Sequence, residues 1–219
     1  MNMMRFTTMK TKLRKYPSIF LILLLAISSC FLTGCVNQHP KDSKKSSQGE
    51  SVETMLEITD PKEKQAVLNA KAKVKALSGN PRIVATSPAV ADICDKLDLD
   101  LVGVPKSSVS KIPSRYKKVK KVGLAMSPDM EIVSSLNPDW ILAPSSLETD
   151  LKPKFEELKN TEYAFLNLRS VQGMYRSVQE LGEIFGKQQE AEKMTKEFTT
   201  FYKSYTKRNK IKNIPKFSY

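Results

Sequence analysis

Few residues of this 219-residue chain are of the types that carry out chemistry. There is a single histidine, His39, and there are three cysteines. No glycine-rich phosphate loop and no G-x-S-x-G, C-x-x-C or H-E-x-x-H pattern occurs. Histidine is the commonest proton carrier in enzymes, and His39 stands in a polar stretch where we expect it to be solvated rather than bound to a metal. The sequence therefore argues against an enzyme.

Cys94 is interpreted as a core residue and not as a nucleophile. It shares an apolar stripe with Val90, Ile93 and Leu97, whose spacing is that of one helical face. A thiolate nucleophile needs a base to activate it, and no catalytic histidine is available. We therefore expect Cys94 to pack as a small apolar side chain.

Cys35 ends the stretch Leu32-Thr33-Gly34-Cys35, which follows a basic segment and an apolar run over 19–27. This layout is typical of a secretory signal peptide and is too short for a membrane span. The four residues resemble the lipobox of bacterial lipoproteins, which implies acylation of Cys35 as the mature N-terminus. The alternative is a plain secreted protein with a chance cysteine. Acyl chains, at about 0.8 kcal/mol per buried methylene, would hold the chain on the extracellular face of the cell membrane.

The formal net charge of +13 raises the question of nucleic acid. No basic module with interleaved aromatic residues appears, so we expect no nucleic-acid partner. Excess lysine fits a surface-tethered protein that faces anionic lipid and wall polymers.

The chain divides into five segments. The predicted segments are a signal peptide at 1–34, a flexible tether at 35–59, a basic spacer helix at 60–79, a compact lobe at 80–186, and a long helix with a tail at 187–219. The basic helix begins with Asp60 as N-cap and Pro61 at the first helical position. Its apolar stripe is thin, so we expect a solvated spacer, with contact to the membrane surface as the alternative.

The lobe is predicted to be α/β, because short apolar runs alternate with helical patterns. Such alternation indicates a three-layer architecture, a parallel sheet covered by helices on both faces. Caps at Ser87, Ser127 and Ser170 begin three of the helices. The predicted strands are 83–86, 101–104, 139–143 and 163–168, and the last helix spans 188–208.

Ligands of open parallel sheets bind just beyond the carboxyl ends of the strands. This rule selects Thr86-Ser87-Pro88, residues 105–108 and Ala125-Met126-Ser127. Free N–H groups at the helix starts after Ser87 and Ser127 would attract carboxylates. Positive charge nearby would come from Lys106, Arg115, Lys117, Lys118, Lys120 and Lys121.

Met126 has no local structural explanation. If Ser127 caps the next helix, the apolar partner expected at the fourth helical position is replaced by Glu131. A soft, polarizable sulfur at a pocket mouth suits contact with a flat apolar cofactor, or ligation of heme iron. The local sequence leaves this interpretation open beside a core or rim role.

Several stretches resemble the substrate-binding lipoproteins of iron ABC importers, and most closely the Isd-type heme receptors of Gram-positive bacteria. Besides the lipobox, they are 83–88, 95–99, 101–105, 113–117 and 137–142, with 123–128 carrying the heme motif. The resemblance implies a lipid-anchored receptor that binds heme and delivers it to an ABC permease, with other surface heme-relay proteins as further partners. It implies the helical-backbone type of periplasmic-binding-protein-like fold.

The same resemblance implies the site residues. Met126 would bind heme iron, and Tyr116 would lie near the pocket. The helix start formed by Thr86, Ser87, Pro88, Ala89 and Val90 would face a propionate. Siderophore and cobalamin receptors share the strand pattern, so either cargo is an alternative to heme. A surface enzyme or an interaction lobe without a small ligand is the alternative of another class.

The chain departs from this family after the long helix. The family has a second lobe, which supplies a histidine as the other axial ligand, whereas this sequence stops at Tyr219. We therefore expect the second lobe to be missing, through truncation, a frameshift or a split pair. We also expect heme binding to be weak and solvent-exposed.

Overall fold

The computed structural model describes residues 56–209. The predictions for the signal peptide, for Cys35 and His39, and for most of the tether and the tail lie outside the described residues. Within the described part, no helix is both long and apolar enough to cross a membrane.

The described elements follow the predicted alternation of strands and helices. The helices are α1 (Pro61–Lys75), α2 (Pro88–Lys96), α3 (Met130–Ser135), α4 (Glu148–Glu156), α5 (Val171–Phe185) and α6 (Gln188–Arg208). The strands are β1 (Ile83–Ala85), β2 (Leu101–Val104), β3 (Lys120–Lys121), β4 (Gly123–Leu124), β5 (Ser127–Pro128), β6 (Trp140–Pro144) and β7 (Glu162–Leu166). Short 3-10 helices lie at Ser114–Tyr116 and Ser145–Leu147.

Five strands form one sheet in the order β3-β2-β1-β6-β7. All four neighbouring pairs are parallel, as predicted. β3 is short and was not among the predicted strands. A separate antiparallel pair joins β4 to β5.

Apolar side chains of the sheet alternate between two cores, one on each face. Ala85, Trp140 and Leu142 contribute to a core that also holds α2 and α5. Val84 and Ile141 contribute to a second core with α3 and α4. Burying each large apolar side chain contributes about 1.5–3 kcal/mol. The three-layer α/β prediction is therefore confirmed.

The helix caps show how local sequence sets the boundaries. Asp60, Ser87 and Ser170 each accept a hydrogen bond from a backbone N–H of the following first turn. Gly186 ends α5 in the left-handed conformation, with φ of 70°, which favours glycine. The predicted caps at Asp60, Ser87 and Ser170 are confirmed.

The predicted cap at Ser127 is wrong. Ser127–Pro128 forms the strand β5, and Asp129 caps α3 by accepting from the N–H groups of Glu131 and Ile132 at 3.1 and 3.0 Å. A carboxylate that accepts two N–H groups satisfies more of the open helix end than one serine hydroxyl.

The prediction of a solvated spacer at 60–79 is corrected. Val67 and Ala70 on α1 are buried in the same core as α2 and α5. Glu63 is buried too, and it accepts from Arg176 Nη2 of α5 at 2.6 Å. Helix α1 is therefore part of the lobe.

Cys94 lies in the core, as its helical stripe predicts. Its side chain is fully buried on α2, and burial raises the pKa of the thiol to about 12. A thiol with so high a pKa carries almost no thiolate near neutral pH, so it is not a nucleophile.

Candidate functional site

The carboxyl edge of the sheet carries exposed apolar side chains. Val109 follows β2, Leu124 and Met126 follow β3, and Val171 follows β7. Carboxyl ends of parallel strands meet at one edge, where ligands of open sheets bind. Exposed apolar groups at such an edge are available for contact with a ligand or a partner.

A small hairpin presents Met126. β4 and β5 pair antiparallel, with Leu124 opposite Ser127 and the two residues Ala125-Met126 between them. Met126 is 73% exposed, the second highest value among the exposed large apolar residues of the described chain. The structure therefore removes the core role that local sequence left open for Met126.

Backbone bonds brace the base of this hairpin, one from the loop after β2 and one across the hairpin itself. The Lys106 N–H donates to the Gly123 carbonyl at 2.7 Å, and the Asp129 N–H donates to the Val122 carbonyl at 2.7 Å. Gly123 has φ of +94°, and a Cβ there would lie 2.9 Å from the Asp129 nitrogen. Only glycine fits this position without strain, so the hairpin depends on it.

At the start of α2, most of the side chains that were predicted to face a propionate form contacts within the protein instead. The Thr86 hydroxyl lies 3.4 Å from the Leu142 carbonyl, and the Ser87 hydroxyl accepts from the Val90 N–H at 3.3 Å. Thr86, Ser87 and Val90 are buried.

The surface of this helix start is made by two residues. Ala89 is exposed and Pro88 is half-buried. Proline has no N–H, so the donor that α2 offers to an anion is the Ala89 N–H, which has no hydrogen-bond partner among the described residues. The site is thus a backbone donor and not a set of side chains.

The second predicted anion site, at the start of α3, is not present. The carboxylate of Asp129 already occupies the open N–H groups there, and Glu131 adds another acid in the first turn. A bound carboxylate would meet negative charge at this place.

Lysine side chains give the adjoining loop a positive charge. No acidic residue stands between Asp100 and Asp129. None of these lysines forms an ion pair within residues 56–209: Lys106, Lys111, Lys117, Lys118, Lys120 and Lys121. Lys106 is bonded directly to the hairpin, since its own N–H donates to the Gly123 carbonyl at 2.7 Å.

Tyr116 does not belong to the site, and this prediction is corrected. Its ring is 2% exposed within the core, and its hydroxyl donates to the Leu99 carbonyl. Leu99 precedes β2, so the hydroxyl lies toward the amino edge of the sheet. Burial raises the pKa of Tyr116 well above its usual value.

The predicted charge of Arg115 is also absent from the carboxyl edge. Its guanidinium lies 2.8 Å from Asp98 and 2.8 Å from Asp100, and it contacts the Tyr116 ring. The Arg115 guanidinium therefore lies at the amino edge of the sheet, where it is paired with two carboxylates and is not free to bind a ligand.

Sequence reasoning missed Val109 in a loop, Leu124 in the two-residue strand β4, and Val171 at the first position of α5. The exposure of a single apolar residue at such a position cannot be read from periodicity. Within the described residues no three histidine, cysteine or acidic side chains are grouped to hold a metal ion. A cavity of about 390 Å³ lies elsewhere, between α5, α6 and the residues before α1. Its lining includes no residue of the carboxyl edge.

Fold and edge together define a class of protein. The model of the periplasmic binding protein family matches residues 83–216, which is more than half of the chain. The chain therefore belongs to the periplasmic binding protein family, and its parallel sheet with helices on both faces is the fold of that family.

One relative of this chain is a heme uptake protein. The chain is 36% identical over 117 residues to the high-affinity heme uptake system protein IsdE of Staphylococcus aureus, which covers 53% of this chain and 39% of that protein. The structure of IsdE complexed with heme matches with 31% identity and a TM-score of 0.55, over 63% of this chain and 52% of that one.

Two further solved structures are similar. An ABC transporter substrate-binding protein from Listeria monocytogenes has 41% identity and a TM-score of 0.58, over 62% of this chain and 52% of that one. The iron uptake substrate-binding protein PiuA of Streptococcus pneumoniae has 26% identity and a TM-score of 0.50, over 61% of this chain and 49% of that one. These relatives are transport proteins, in agreement with the expectation of a non-enzyme. The chain spans about half the length of the solved structures and less of the curated relative.

Proposed function

We propose that this chain is a lipid-anchored substrate-binding protein that binds heme and passes it to an ABC permease. The observation that carries the proposal is the exposed thioether of Met126 on a braced hairpin at the ligand-binding edge. A thioether is an established type of axial ligand for heme iron.

The surroundings of Met126 fit the two kinds of surface that heme offers. Leu124 is 59% exposed and Val109 is 95% exposed, so both can contact the apolar porphyrin faces. The Ala89 N–H and the Lys106 ammonium suit the two propionates, because each favours negative charge. Thr86, Ser87, Pro88 and Val90 would then act by shaping the helix start.

Placement at the membrane follows from Cys35. Its resemblance to a lipidated cysteine supports anchoring on the extracellular face, and similarity to an ABC transporter substrate-binding protein supports delivery to a permease. Labelling with a radioactive fatty acid tests the anchor: label should enter the native chain and be absent from Cys35→Ala. An unlabelled native chain would contradict the anchor.

Heme titration followed by absorbance tests the ligand. We expect a Soret shift with the native chain, and a weaker, differently placed band with Met126→Leu, which keeps apolar bulk but removes the sulfur. Met130→Leu is the matched control, because Met130 is half-buried on α3 and should leave the titration unchanged. Identical spectra for all three chains would contradict ligation by Met126.

A ferric siderophore is the second candidate cargo. It is favoured by the uncompensated lysines of 106–121, since many such chelates are anionic, and by similarity to an iron uptake protein. A ligand that binds only the folded state raises its melting temperature. A rise with a ferric siderophore, and none with heme, would favour this cargo.

A further inference from the structure

The outer face of α1 carries cationic and uncharged side chains only. Glu63 is the one acidic residue of the helix, and it points inward: it is 6% exposed and accepts from Arg176 Nη2 at 2.6 Å. Because packing removes the single carboxylate from the surface, the exposed side of α1 has no negative charge of its own.

Leu68 lies in the middle of this face and is 56% exposed. Lys64 is one turn before it and Lys75 two turns after it, so all three share one side of the helix. Lysines beside an exposed leucine offer an anionic membrane interface one apolar contact and two cationic ones. Their methylene stems extend the apolar contact while the ammonium groups reach the headgroups.

The lysines of α1 fall into two groups. Lys71 pairs with Glu183 at 2.7 Å, and Lys73 pairs with Glu162, so these two hold α1 on the lobe. Lys62, Lys64 and Lys75 form no ion pair within the described part of the chain. Three positive charges are therefore left for an external anion.

We propose that α1 docks on the anionic headgroups of the membrane that holds the lipid anchor, with Leu68 in the interface and Lys64 and Lys75 on phosphates. The inference rests on the proposed function, because acylation of Cys35 supplies the membrane. About 25 positions separate Cys35 from Asp60, so an acyl group on Cys35 would keep α1 at high effective concentration near the surface.

A fluorescent label at Leu68 tests the docking. The acylated chain carrying Leu68→Cys is labelled with a polarity-sensitive dye, which Cys94 escapes because it is buried. It is then bound to vesicles of phosphatidylcholine, with or without phosphatidylglycerol. We expect a blue shift and a several-fold intensity gain on the anionic vesicles only, because surface charge attracts the lysines.

Two double variants with the same change in charge locate the effect. Lys64→Glu with Lys75→Glu should abolish the blue shift, whereas Lys117→Glu with Lys118→Glu should keep it, since the latter pair lies on the loop after β2. Equal loss in both would overturn the assignment to α1.

Flotation separates this inference from the anchor on which it rests. A chain that floats with uncharged vesicles but keeps a water-exposed label on anionic ones overturns docking by α1 alone. A chain that does not float with uncharged vesicles overturns the lipid anchor and the docking together.

Discussion

The two edges of the parallel sheet are built in opposite ways. At the carboxyl edge, backbone hydrogen bonds from Lys106 and Asp129 brace the hairpin of β4 and β5. The side chains of Leu124 and Met126 on that hairpin remain exposed. The backbone is thus fixed while the side chains are left available.

At the amino edge, the side chains bind one another. Tyr116 donates to the Leu99 carbonyl, and Arg115 holds Asp98 and Asp100. Lys187 also bonds to Asp98, and this bond, with that of Arg115, holds the pKa of that carboxyl below its usual range. Little capacity to bind a ligand remains there.

The difference teaches that conspicuous residue types do not locate the site. The polar groups of Tyr116 and Arg115 are already bonded to other groups of the protein. The Met126 side chain is exposed, on a hairpin whose backbone is held by hydrogen bonds. A binding group is useful when it is positioned by its support and left unpaired itself. Three substitutions test this contrast, and a fourth tests a buried acid that lies outside both edges.

The largest effect is expected from Tyr116→Ala. Removing a fully buried aromatic ring leaves a cavity and should lower the free energy of unfolding by about 3–5 kcal/mol. Chemical denaturation measures this loss. The heme spectrum of the folded fraction should be unchanged. An altered spectrum would show that Tyr116 takes part in heme binding.

Met126→Ala should show the reverse pattern. We expect heme affinity to fall at least about tenfold, or ~1.4 kcal/mol, because the iron loses its sulfur ligand. The free energy of unfolding should stay within about 0.5 kcal/mol, as for most exposed positions. Titration and denaturation of the same preparation measure both, and a stability loss like that of Tyr116→Ala would contradict the contrast.

Gly123→Ala should lower both the stability and the heme affinity, since it strains the hairpin that carries Met126. A left-handed backbone costs a non-glycine residue about 1–2 kcal/mol, so stability should fall by that amount and heme affinity should fall less than in Met126→Ala. Gly79→Ala is the matched control, because a Cβ there meets nothing within 4 Å. Equal stability losses in both would show that the hairpin is not strained.

The smallest effect concerns Glu180, which is 3% exposed on α5. Burial, and Glu63 beside it, raise the pKa of Glu180 to about 9 from an ordinary 4.5. Its contribution to stability is therefore complete below about pH 4.5 and is lost as the pH rises toward 9, because the folded state holds the proton longer.

Glu180→Gln removes this dependence, since glutamine stays neutral. At pH 8 it should stabilise the chain by about 1 kcal/mol, or about 2–4 °C in melting temperature, and at pH 4 it should change little. Thermal melts at both pH values measure this. Glu63→Gln is the control that should lower the stability, because it removes the negative charge that pairs with Arg176. A gain for Glu180→Gln that is the same at both pH values would contradict the assigned cause.

Much of the fold was predictable because its signals are local. The caps at Asp60, Ser87 and Ser170 act on N–H groups two or three residues away, so a short stretch of sequence contains both partners. The apolar runs of β1, β2, β6 and β7 have the same advantage. The candidate site was predictable only in part: the rule for parallel sheets selected the carboxyl edge, and the resemblance selected Met126, which the structure shows to be exposed there.

Only the tertiary structure decided what depends on distant partners. The Lys106 N–H meets Gly123 across 17 positions, and Arg176 meets Glu63 across 113. The first contact helps to place Ser127 in a strand rather than at a helix cap. The second packs α1 on the lobe and buries its carboxylate, so that the outer face of α1 carries only cationic and uncharged side chains. Local sequence determined where elements begin and end, because capping and periodicity act within a few residues. Packing determined which side chains stay free, because burial depends on neighbours that the sequence places far away.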